Sequence, residues 1–84
     1  MQDMMEMRAT TQYAVIGRSE NYPTLYHMNQ TAVNAERLRA RRETATGHPC
    51  YVVAMPAWNA NPLAALTAAE AERTDRQQGR RQPR

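Results

Sequence analysis

Three side chains in this sequence have the types needed for nucleophilic or metal chemistry: His27, His48 and the single cysteine, Cys50. His48 and Cys50 are two positions apart, so on an extended segment they face the same side. A Cys–His pair of that kind can make an activated thiolate. However, Pro49 interrupts the run, and no Asp or Glu lies close in sequence to orient an imidazole. The expectation is therefore a buried structural cysteine with histidines at the surface. One cysteine also excludes an internal disulfide and leaves a Cys-based zinc site short of ligands. A site built on two His and one Cys would need acids from distant positions.

Other catalytic signatures are missing. Gly17, Gly47 and Gly79 are scattered and form no phosphate-cradling loop, and there is no H-E-x-x-H, nucleophile elbow or paired-carboxylate constellation. The sequence thus reads as non-enzymatic, with no catalytic or metal-binding residues and no cofactor.

Charge is the more informative property. The net charge is +3, and all 11 basic residues are arginine. Absence of Lys beside abundant Ala points to a GC-rich coding sequence, which weakens any reading of each arginine as selected for phosphate. Arg37, Arg39, Arg41 and Arg42 fall on one predicted helix, spread over about 200° of its surface, with Arg37 and Arg41 stacked at i, i+4. They suit an acidic protein surface or a phosphate backbone, unless Glu36 and Glu43 neutralise them into an ordinary solvated face. A second group, Arg76, Arg80, Arg81 and Arg84, puts four charges into nine residues without an acid. Such a tail can bind nucleic acid without reading sequence. Tyr22, in a polar turn, and Trp58, after the third strand, are aromatics of the kind enriched at interfaces. Trp58 can equally cap the end of the core.

The elements that must position these residues follow from patterning. Residues 11–18, "TQYAVIGR", read as a strand, with Tyr13 and Val15 on one face and Ala14 and Ile16 on the other. "RSENYP" gathers turn formers, and residues 24–28, "TLYHM", read as a second strand, giving an antiparallel hairpin around a six-residue turn. Asn29 or Thr31 can cap a helix over 32–45, which Gly47 stops. Its hydrophobic period is poor: Leu38 falls near Ala35, while Val33 falls on another side with Ala40. Glu36–Arg39 and Arg39–Glu43 spacings support the helix instead. Residues 50–55, "CYVVAM", form the strongest strand signal, either covered on both faces or central, and Pro56 ends it. "AWNANP" reads as a loop. Asn61 followed by Pro62 is a specific start for a second helix, whose far end is expected to fray. Core candidates are Tyr13, Val15, Ile16, Leu25, Met28, Val33, Leu38, Tyr51, Val53, Met55, Trp58, Leu63 and Leu66.

The sequence therefore predicts a small two-layer α+β domain in the order β-β-α-β-α. A three-stranded sheet carries one packed helix, and a second helix lies C-terminal. Residues 1–10 read as a flexible Met-rich leader, 11–75 as the domain and 76–84 as a disordered Arg-rich tail. No apolar run approaches the roughly 20 residues of a membrane span, and the N-terminus lacks the pattern of a secretory signal. A cytoplasmic location is expected.

The functional expectation is a small protein-interaction module that binds a larger protein complex. Chains of this size are common among phage and mobile-element accessory proteins, including host-defence inhibitors of the anti-CRISPR kind. Its candidate partner-binding residues are Tyr22, Trp58, Arg37 and Arg41. One alternative is a nucleic-acid-binding accessory or regulator that uses Arg39, Arg42, Arg76, Arg80, Arg81 and Arg84 on phosphates. Another is a homodimeric structural module paired through an exposed strand edge.

Overall fold

The computed structural model describes residues 11–81, and side chains for residues 11–75. Three strands, β1 (Tyr13–Ser19), β2 (Tyr22–Gln30) and β3 (Cys50–Ala54), form one sheet in the order β2-β1-β3. Both pairings are antiparallel, so β2 and β3 run in the same direction on either side of β1. Helix α1 (Ala32–Thr46) makes the crossover between them. The short helix α2 (Met55–Ala60) and the long helix α3 (Pro62–Arg81) follow. The α+β class and the β-β-α-β-α order hold, with α2 inserted before the last helix.

Strand alternation divides the core between two faces. Ala14 and Ile16 of β1 pack with Val53, Met55, Ala65 and Leu66, with Leu25, Tyr51, Trp58 and Ala69 at the margin. Val15 packs on the opposite face with Ala35 and Cys50, bordered by Tyr13, Tyr26, Leu38 and Val52. The sheet thus has α1 on one face and α2 with α3 on the other. The C-terminal helix thereby adds a third layer to the two expected. Ala14 and Ala35 are fully buried between the sheet and the helices that cover it. Small side chains there let helix and strand backbones come together.

Three residues expected in the core are exposed instead: Met28, Val33 and Leu63. Val33 is out because Ala35 and Leu38 define the buried side of α1, and Val33 falls on the far side of the wheel. Ala14, Ala35, Cys50 and Ala65 take their places.

Local signals explain most boundaries. Thr31 caps α1 by accepting a hydrogen bond from the Asn34 N–H at 3.2 Å. Gly47 ends it in the left-handed region, at φ 78°, with its N–H donating to the Glu43 carbonyl. Asn61 serves two helices. Its N–H donates to the Ala57 carbonyl to close α2, and its Oδ1 accepts from the Ala64 N–H to open α3. The expected loop "AWNANP" is therefore mostly helical. Pro56 stops the strand and also sits in the first turn of α2, where its fixed φ fits and its missing N–H costs nothing.

The hairpin is tighter than expected. Ser19 pairs with Tyr22, leaving a two-residue connection in which Glu20 adopts φ 59°. Pro23 lies inside β2, where an edge strand tolerates it. Two register irregularities bend β2, one beside Tyr26 and one near Asn29, which takes φ 58°. At the other end of the chain, α3 is helical through Arg81, so it continues past Gly79 into the segment expected as a disordered tail. The Met-rich leader and Arg84 lie outside the described residues.

Candidate interaction surface

Helix α1 has two charged sides with different fates. On its inner flank, Arg39 donates to Glu36 and, at 2.8 Å, to Glu43 Oε1. These are the i, i+3 and i, i+4 pairs the spacing predicts. Arg42 lays its guanidinium 4.6 Å from the centroid of the Tyr26 ring. That ring in turn covers Gly17, where an added Cβ would meet Tyr26 Cε2 at 3.0 Å. Arg39 and Arg42 are thus held by intramolecular partners.

Glu43 is the junction of this flank. It accepts from Arg39 of α1, from Arg73 of α3 and, at 3.2 Å through Oε1, from the Cys50 N–H of β3. Arg73 also donates to the Cys50 carbonyl at 3.5 Å and lies 5.6 Å from the Tyr51 ring. Since α1 and α3 lie on opposite faces of the sheet, this clasp reaches around the outer edge of β3. There it satisfies both backbone polar groups of Cys50. The Arg73 hydrogen bond, helped by the Cys50 N–H and by Arg39, holds the Glu43 carboxyl below its ordinary range. A second tie, Arg18 to Glu70, is bidentate with both distances 2.8 Å, and it lowers the Glu70 carboxyl in the same way.

The outer side of α1 is different. Val33, Arg37, Ala40, Arg41 and Thr44 fall within about 100° of one another, opposite buried Ala35. All five are exposed, and Val33 retains 71% of its accessible surface. No acid stands among them. Neither Arg37 nor Arg41 has an ion-pair partner among the described residues. The two acids of α1 that were candidates to neutralise them are engaged by Arg39 and Arg73.

The remaining sequence candidates are dispersed. Tyr22 begins β2 at the hairpin tip with 70% exposure. Trp58 belongs to α2 instead of an open loop, and it packs half-buried against the Ile16–Leu66 face. Arg76, Arg80 and Arg81 fall on the last turns of α3. Cys50 is buried, and burial pushes its thiol up, opposite to what an activated thiolate needs. His48 is exposed. Among the described residues no group of His, Cys, Asp and Glu is placed to hold a metal ion, and no helix is long and apolar enough to cross a membrane.

Sequence reasoning found the Arg37–Arg41 stack but missed Val33 as part of the same ridge. The signal was present in the helical wheel, which separates Val33 from Leu38. No family model matches this sequence, and neither a curated protein nor a solved structure matches it.

Proposed function

We propose that this protein is a small non-enzymatic interaction module that binds a larger protein complex, in the manner of the accessory proteins and inhibitors carried by phages and mobile elements. The observation that carries this reading is the outer side of α1, where exposed Val33 stands beside two arginines with no ion-pair partner among the described residues. Exposed Tyr22 supplies a further contact of the type that interfaces favour. Trp58 packs half-buried against the core, so its exposed part is the lesser contact.

The test compares three full-length proteins: the unchanged chain, Tyr22→Ala, and Arg37→Ala with Arg41→Ala. Each is immobilised and exposed to host-cell lysate. A partner retained by the unchanged chain and lost by the double variant, with equal thermal midpoints, supports the module. Equal retention by all three overturns this surface.

A nucleic-acid-binding accessory is the second reading, favoured by the same exposed Arg37 and Arg41. Fluorescence anisotropy with labelled duplex and single-stranded oligonucleotides decides between them. Binding that persists at physiological salt and then weakens steeply as salt rises puts the nucleic-acid reading ahead. A homodimer paired edge to edge is disfavoured, because Glu43 and Arg73 occupy the β3 edge at Cys50 while Pro23 and two bulges blunt β2.

A further inference from the structure

We infer that the outer ridge of α1 docks on an acidic protein surface presenting carboxylates about one helical turn apart beside an apolar side chain. This rests on the interaction-module reading and names the chemistry of the partner. The ridge has a fixed order along the helix: apolar Val33, then Arg37, small Ala40, Arg41 and small Thr44.

Three features select carboxylates on a protein. First, among the described residues the charge is uncompensated for a structural reason: Arg39 and Arg73 engage Glu36 and Glu43, so the nearest acids are turned to the flank. Guanidinium forks at i and i+4 match carboxylates at the same spacing on a facing helix. Second, Ala40 and Thr44 allow a partner backbone to come close. Third, Val33 offers an aliphatic contact one turn before Arg37, where a phosphate backbone has nothing to gain from it.

The probe is a synthetic helical peptide with Glu at i and i+4 and Leu at i+8, titrated into the ¹⁵N-labelled full chain at about 0.15 M salt. A Gln-substituted copy and a short DNA duplex serve as comparisons. Shifts are expected at the amides of Val33, Arg37, Ala40, Arg41 and Thr44. Affinity for the Glu peptide should fall roughly tenfold in Arg37→Glu with Arg41→Glu. The Arg37→Gln, Arg41→Gln protein should show an intermediate loss with an otherwise unchanged spectrum. Equal binding of the Gln peptide, or no binding of the Glu peptide at millimolar concentration, overturns the inference. Stronger binding of the duplex at the same amides also overturns it, in favour of nucleic acid. Shifts confined to the Tyr22 hairpin overturn the ridge while leaving the module reading standing.

Discussion

Gly17 shows how much one position decides. It lies on β1, paired with Cys50 on one side and Thr24 on the other, and the Tyr26 ring fills the space a side chain would take. Tyr26 then carries Arg42, so a backbone hydrogen on β1 underlies the placement of a charge on α1. In Gly17→Ala the ring must move, because a Cβ at 3.0 Å from Tyr26 Cε2 is too close. The alanine recovers some strand preference, but displacement of the ring and its stacked guanidinium dominates. We expect a net loss of about 1 kcal/mol, read as a lower urea midpoint with an unchanged slope. Sequence patterning places Gly17 at a strand end and says nothing of Tyr26. The bulge that turns Tyr26 over Gly17 is an irregularity of pairing, which alternation alone does not encode.

At the scale of elements, signals that act within four residues were legible and those acting across the sheet were not. Thr31, Gly47 and the Asn61–Pro62 pair mark helix ends because each works on its own neighbouring backbone. The hairpin was misjudged because Glu20 sits at φ 59°, where glycine or asparagine is the usual sign. The strand signal of "CYVVA" was strong, and β3 is covered on both faces although it lies at the sheet edge. Asn61 joins α2 to α3, closing α2 with its backbone N–H and opening α3 with its side-chain oxygen, so loss of the side chain should act on the start of α3. Asn61→Ala removes the acceptor for the Ala64 N–H, and we expect a destabilisation of about 1 kcal/mol, measured by thermal unfolding. Asn61→Ser, which keeps a capping oxygen, should recover most of it.

For the whole molecule, acid is the informative stress. Glu43 and Glu70 tie α3 to the rest of the fold through Arg73 and Arg18, and both carboxyls are held below their ordinary value of 4.5. A lowered carboxyl stabilises the fold fully above its unfolded pKa. That stabilisation is lost as pH falls through the folded value. Stability should therefore be level near neutrality and decline below about pH 4.5. Glu43→Gln should flatten part of that decline and lower stability at pH 7, as urea unfolding across pH would show. The candidate surface was only half legible at this scale. The Arg37–Arg41 stack follows from spacing, but the clasp beside it does not, because Glu43 is completed by Arg73, thirty residues further along the chain.

The order of the strands also bears on how the chain is made. β1 is synthesised first of the three yet ends at the centre of the sheet, so each of its faces waits for later residues. The Val15 side is covered once α1 and Cys50 have emerged. The Ile16 side has no lid until Leu66 leaves the ribosome, fifty positions later. At roughly 5–20 residues per second, that apolar face stays bare on the nascent chain for several seconds. A nascent chain whose emerged part ends just before Pro62 would therefore have both strand pairings available and half of its interior still open to a chaperone.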